Sequence, residues 1–434
     1  MSDDNLFRKG DDIARRQFLA NAAKSCLGVS VLPMLGATVA TNDTFGAAPP
    51  MRARAAKSVI FLNMSGGMSH IDTFDPKPDN KDVQGPTPTV DSTADGIRIS
   101  GYLPKTAAMM KHATVFRGME TNQGAHEQGQ YLLHRSYPMR GTIVHPAMGA
   151  WVLRLSGRRN QTIPGFVTIN GGHSTGGFMG AKYAGVPLGN PEAGLKDSKL
   201  PHSVSKEGFA RRLSLADKMN NTFHDKFKQK QVKSYDSLYD EAVKLMTSED
   251  LKAFDLSGEK SEVRDMYGQN RFGQGCLLAR RLVEHQVRFI EVSLGGWDTH
   301  VDNFVSVEAR CQTLDAGLAG LISDLERRGL LDSTLVVVGT EFGRTPVIND
   351  NTGRDHWPRA FSCLMAGGGV KGGFAYGASD RNGRNIAEGK VTPGMFNATI
   401  GHALGLPTDR TITSPSGRPF TIGDEARPIK EVFA

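Results

Sequence analysis

The chain has 434 residues, 39% of them hydrophobic, and a formal charge of +7. That length suits one large globular α/β domain with insertions and excludes a chain too small to bury a core. No dense lysine–arginine run with interleaved aromatics occurs, so no nucleic-acid partner is expected. The positive balance reflects either a preference for anionic substrates or a mixed solvated surface.

Fifty glycines point to many tight turns and loop-built sites. The four cysteines, Cys26, Cys276, Cys311 and Cys363, form no CxxC pair, which excludes a disulfide framework and a zinc ribbon. The last three are expected to be small buried apolar residues.

The N-terminus carries a twin-arginine motif, Arg15-Arg16-Gln17-Phe18-Leu19, followed by the moderately apolar, charge-free stretch Cys26–Ala40. That stretch is too short and weak for a stable membrane span. Residues 1–48 therefore read as a Tat signal, with cleavage expected near Gly46-Ala47-Ala48. The Tat export machinery is the expected partner, and the location is periplasmic or extracellular. Lys24 spoils a lipobox ahead of Cys26, so no lipid anchor is expected.

Lys57–Asn63 reads as the first buried strand. It runs into a loop in which Gly66-Gly67 lets the backbone turn or approach a ligand closely. His70 and Asp72 follow two residues apart, an arrangement able to aim two ligands at one ion. Lys77–Arg98 reads as a polar surface loop, Leu103–His112 as a short helix and Ala113–Arg117 as a second strand. Ile163–Asn170 reads as a further strand and Gly171–Gly194 as a glycine-rich loop. Within Lys206–Asp255, Phe223, Phe227, Leu238, Ala242 and Leu245 give an apolar helical face, so a helical insertion is expected at about 200–260.

The C-terminal third is the most informative. An amphipathic helix, Cys276–Gln286, precedes a strand, Val287–Leu294. The exit loop holds Trp297-Asp298-Thr299-His300. A helix over Ala309–Arg328 sets Leu314, Leu318, Leu321 and Leu325 in one stripe, and Gly329 stops it. The strand Leu335–Val338 then completes a right-handed β-α-β crossover and ends at Thr340-Glu341-Phe342-Gly343. Asp355-His356-Trp357 follows. Carboxylates and imidazoles gathered at the carboxyl ends of adjacent parallel strands suit a divalent ion, with Zn, Mn or Ca as candidates. Ser362–Ala366 reads as a last strand and Thr392–Leu404 as a closing helix, with His402 on its apolar side.

The run Gly296-Trp297-Asp298-Thr299-His300, a helix, then Leu-Val-Val-Val-Gly-Thr-Glu-Phe-Gly resembles the core of the alkaline phosphatase/sulfatase superfamily. Within it, residues from about Lys57 onward most resemble the family known as domain of unknown function 1501. The resemblance implies a three-layer α/β sandwich around a mostly parallel sheet, over about 55–434. It also implies metal-dependent hydrolysis of phosphate or sulfate esters, small-molecule or glycan. Asp298 and His300 then match a metal-binding Asp–His segment, Glu341 a further carboxylate ligand and His356 a late histidine ligand. His70, Asp72 and Asp355 complete the candidate metal set. The resemblance points to His126 as a catalytic residue, in the segment where the superfamily carries its nucleophile. Arg344 either pairs with Glu341 or binds a substrate anion.

Three departures accompany this resemblance. Asn63 stands where an aspartate ligand is usual, and Phe342 where a histidine ligand is usual. No serine or threonine occupies the middle of Thr121–Tyr131, which favours direct attack by water. Ser136-Tyr137-Pro138-Met139-Arg140 matches the formylglycine sulfatase pattern only superficially and lies too late in its segment. A non-catalytic metal- or ligand-binding protein on the same fold is the alternative reading, and a metal-dependent isomerase or mutase a third.

Overall fold

The computed structural model describes residues 56–195, 205, 207–209, 211–215, 244–246 and 248–434. The expected Tat signal lies outside them, as do Phe223, Phe227, Leu238 and Ala242 of the expected insertion. Leu245 from the same stripe is buried in the core.

Eight strands form one sheet: β1 (Ser58–Met64), β2 (Ala113–Met119), β3 (Phe166–Ile169), β4 (Val186–Leu188), β5 (Phe289–Leu294), β6 (Thr334–Gly339), β7 (Phe361–Gly367) and β8 (Phe374–Tyr376). Their spatial order is β8-β2-β7-β6-β1-β5-β3-β4. Every pairing is parallel except those of β7, which runs against β2 and β6. The protein is thus a mixed α/β fold around a large, mostly parallel sheet.

β1 lies between β5 and β6 and is buried on both faces. Val59 and Phe61 face a cluster with Trp151, Phe166 and Phe396, whereas Ile60, Leu62 and Met64 face Leu277, Leu278, Leu314 and Leu318. Double-sided burial is why this strand reads as a continuous apolar run rather than an alternating one. Each fully buried aliphatic side chain in it contributes about 1.5–3 kcal/mol. Covering helices include α1 (His126–Arg135), α2 (Met148–Ser156), α3 (Arg271–Glu284), α4 (Asn303–Arg327) and α5 (Pro393–Ala403).

Several boundaries differ from expectation for identifiable reasons. α4 starts at Asn303, six residues before Ala309. Val305 in its first turns is exposed, so the apolar stripe does not extend to the start of the helix. The glycine-rich stretch Gly171–Gly194 contains the edge strand β4, where Pro187 points outward between buried Val186 and Leu188. Proline is tolerated there because an edge strand has one unpaired side. The polar stretch Lys77–Arg98 holds one helical turn at Lys81–Gln84, and Thr89–Asp91 pairs antiparallel with Arg98–Ser100. Cys276, Cys311 and Cys363 are free and buried, as expected.

Candidate metal centre at the carboxyl edge of the sheet

Four loops meet where the parallel strands end. The β1 exit turns at Gly66 and Gly67, both with positive φ, 119° and 74°. A Cβ on Gly66 would lie 2.6 Å from the backbone nitrogen of Asp298, and one on Gly67 would lie 2.6 Å from the Phe342 ring. The glycines therefore allow three exit loops to touch; what they approach is protein backbone and ring rather than ligand. The fourth contribution is the start of α1, whose first residue is His126.

Asp298 is the hub. His126 Nε2 lies 3.3 Å from its Oδ2. His300 Nε2 and His356 Nε2 lie 3.1 Å and 3.3 Å from its Oδ1. The two latter nitrogens are 3.0 Å apart. Ligand atoms of His126, Asp298 and His356 all fall within 4.8 Å of one another.

Each imidazole is held by its other nitrogen. His126 Nδ1 donates to Glu341 Oε1 at 2.7 Å, His300 Nδ1 to Asp355 Oδ1 at 2.7 Å and His356 Nδ1 to the Gly124 carbonyl at 2.7 Å. In the neutral rings this fixes the proton on Nδ1 and leaves the Nε2 lone pairs turned toward Asp298. Such outer partners orient and strengthen metal-binding histidines. His126 Nε2 is buried and has no hydrogen-bond partner among the described residues. Two imidazole lone pairs cannot face each other at 3.0 Å without a cation or a proton between them. The donor set, two or three imidazole nitrogens and one carboxylate, fits a divalent transition ion.

Glu341 sits behind His126 with its side chain fully buried. Oε1 also accepts from the Gly66 N–H at 2.9 Å, and Oε2 accepts from Gln130 Nε2 at 2.6 Å. Asn63 Nδ2 donates to Gln130 Oε1 at 3.2 Å, so the strand-end residue reaches His126 through Gln130 and Glu341. Phe342 fills the space beneath, its ring 5.0 Å from His126 and 4.7 Å from His356.

The electrostatics follow from these contacts. Burial acts against ionisation of Asp298, but Arg344, His356 and His126 hold its carboxyl down at about 2. The hydrogen bond to Glu341 raises His126 above an ordinary imidazole against the opposing effect of burial. Burial lowers His356. The hydrogen bond from His300 lowers Asp355.

Four expected site residues are engaged in other contacts. Asp72 lies in a separate buried network: Arg354 Nε is 2.8 Å away, and Ser69, Thr87 and Asn303 donate at 2.6, 2.6 and 3.1 Å. Its lone pairs are thereby engaged within the fold, and it stands outside the group of converging ligand atoms. His70 is buried, its pKa lowered by burial to about 4, and its Nε2 binds the Gly383 carbonyl at 2.9 Å. It stands outside the group of converging ligand atoms. Among the described residues Arg344 makes no hydrogen bond to Glu341. Its fully buried guanidinium donates to the carbonyls of Gly66, Gly67 and Arg354 and, at 2.5 Å, to Asp298. Asp355 supports His300 rather than joining the converging atoms.

Sequence reasoning missed Gln130 and the Gly124 carbonyl. Gln130 follows His126 by four residues, so both lie on one face of α1, and that spacing was the available signal. Nothing in the sequence marks a carbonyl as a partner. His402 packs against Phe433, ring centres 5.2 Å apart, consistent with its structural reading.

The fold and this cluster define an α/β protein with a histidine–carboxylate centre at its sheet edge. Residues 56–433 match the family model described as protein of unknown function DUF1501, and the chain belongs to that family. No curated protein matches the chain. Among solved structures it is similar to a sulfatase from Pseudoalteromonas sp., with 11% identity over 88% of this chain and 76% of that one and a TM-score of 0.38. A phosphonate monoester hydrolase from Silicibacter pomeroyi gives 11%, 87%, 76% and 0.37 on the same measures. The periplasmic domain of EptC from Escherichia coli, in complex with Zn, gives 9%, 89%, 99% and 0.38.

Proposed function

We propose that this protein is an exported, divalent-metal-dependent hydrolase of phosphate or sulfate esters. The observation that carries the reading is the convergence of imidazole Nε2 atoms on Asp298, each ring fixed through its Nδ1. His126, Asp298 and His356 would hold the ion, leaving a coordination position open as in catalytic sites. Bound there, a divalent ion would polarise an ester oxygen and acidify water.

The remaining chemistry belongs to the chain. His300, backed by Asp355 and half exposed, is suited to moving a proton through Nε2. The first amides of α1, which begins at His126, would favour an anionic oxygen. Arg344 holds Asp298 and the Gly66–Gly67 turn in register as a positioning residue. Small-molecule or glycan esters are the substrate class. Export to the periplasm or exterior rests on Arg15-Arg16 and the apolar stretch after them. Among the described residues no helix is long and apolar enough to cross a membrane.

A second reading, a non-catalytic metal- or ligand-binding protein, draws on two observations. α1 opens on His126 with no side-chain hydroxyl at its cap, and Phe342 occupies a place where a ligand would be useful. Elemental analysis of the purified protein separates the possibilities. Stoichiometric divalent metal, lost in Asp298→Ala and His356→Ala, is expected. Turnover of aryl phosphate or sulfate esters by the loaded protein, abolished in His300→Ala with metal retained, would establish hydrolysis. Metal without turnover of any ester would leave the binding reading, and absence of metal from the folded protein would end the hydrolase reading and leave a metal-free ligand-binding protein.

A further inference from the structure

A second cleft lies at the far end of α1. Its cavity measures about 340 Å³ and is lined by Tyr137, Arg140, His145, Arg418, Phe420 and the pair Asp424–Glu425. Cavities of this order hold small polar ligands. His126 and Tyr137 are eleven residues apart in sequence. Ten of those positions form one helix rising about 1.5 Å per residue, so the two sites are separate.

Ring contacts build the walls. Tyr137 and His145 stack at 4.7 Å and 9°, and Phe420 meets both edge-on at 5.1 Å. Tyr131 fixes the imidazole: its hydroxyl accepts from the His145 amide at 2.9 Å and so donates to His145 Nδ1 at 2.8 Å. The proton of the neutral ring is therefore on Nε2, which has no partner among the described residues. Burial, with Arg140 and Arg135, lowers this imidazole to about 4, keeping it a neutral donor.

The charges are arranged for a guest. Arg140 and Arg418 are exposed, and neither guanidinium makes an ion pair or side-chain hydrogen bond among the described residues. Asp424 and Glu425 line the same cleft in successive left-handed conformations, φ 53° and 63°. Two adjacent non-glycine residues in that region are costly, and such outliers gather at functional sites. Strain here places two carboxylates beside two guanidiniums with no pair closed between them.

We propose that this cleft is a second binding site, for a saccharide bearing a sulfate or phosphate group. The guanidiniums and the His145 Nε2–H recognise the tetrahedral anion. The carboxylates accept from sugar hydroxyls, and the Phe420 face covers the ring's C–H surface. The proposal stands apart from the histidine centre and does not need it to be catalytic.

Calorimetric titration of the full chain with glucose 6-sulfate and glucose 6-phosphate tests it, with glucose and inorganic sulfate as controls. Saturable binding of either ester is expected, with at least a tenfold loss of affinity in the Arg140→Ala/Arg418→Ala variant. Preference between the two esters identifies the anion. Both arginines are exposed, so the variant should keep its melting temperature. Asp298→Ala should bind the ester as the wild type does, which separates this cleft from the metal centre. Equal affinity in the double-arginine variant, no ester binding, or inorganic sulfate binding as tightly as the ester would overturn the proposal.

Discussion

Asp298 and Asp72 lie near the same edge of the sheet, and their surroundings are opposite. Asp72 is fully buried and saturated by donors: Arg354, Ser69, Thr87 and Asn303. Asp298 is 47% exposed and, Arg344 apart, faces imidazole nitrogens whose protons are directed elsewhere. A carboxylate ringed by donors has its charge satisfied by the fold. One ringed by imidazole lone pairs offers the donor set that a divalent cation takes. The contrast separates an anchor from a site where residue type alone does not.

The largest expected effect tests the anchor. Asp72→Ala leaves the buried Arg354 uncompensated and should cost about 3–5 kcal/mol in urea unfolding. Asp298→Ala takes a half-exposed partner from Arg344, which keeps its three carbonyl acceptors, and should cost less, about 1–3 kcal/mol. Equal losses would erase the distinction. Next is Glu341→Gln, which weakens the hold on His126 and should reduce metal affinity by about 10–100-fold. Unchanged affinity would show that His126 is oriented by packing against Phe342 alone.

The pH dependence is a third test. His126 is raised above 6.5, chiefly by its hydrogen bond to Glu341. In the unloaded protein, its stabilising contribution is complete below the unfolded value and is lost as pH rises through the raised folded value. Metal needs the free Nε2, so affinity should fall as pH drops through that same raised value. In Glu341→Gln the midpoint should move to lower pH in a metal titration. The smallest effect is that of Asp355→Asn. This exposed partner of His300 should change stability by no more than about 1 kcal/mol. Its loss should shift the pH profile of turnover more than the metal content.

Much of the fold was legible because hydrophobic periodicity reports burial directly. β1, β5, β6 and the stripe on α4 were read to within a few residues. The strand-end residues Asp298, His300, Glu341 and His356 were legible for a related reason: apolar strands end abruptly, and polar side chains just beyond them share an edge. The roles of His70, Asp72 and Arg344 were not legible. Which donor saturates which acceptor depends on contacts hundreds of positions apart, such as Arg354 with Asp72, and no local pattern encodes them. The edge strand β4 was hidden for another reason, since Pro187 and the surrounding glycines carry a loop signature.

The single reversed strand, β7, has a consequence for how this protein can change. Because β7 runs against β6, the chain leaves β6 and enters β7 at the same edge of the sheet. The excursion between them is closed by two-residue pairing, Arg344 opposite His356 and Gly343 opposite Trp357. Residues 345–355 thus depart from and return to one point, beside the histidines. Doubling such a loop costs only about 0.6 kcal/mol in closure entropy. Apart from Arg354 and Asp355, which hold Asp72 and His300, this segment can lengthen or shorten without disturbing a strand. On the hydrolase reading, substrate preference would diversify here while the frame around Asp298 stays constant.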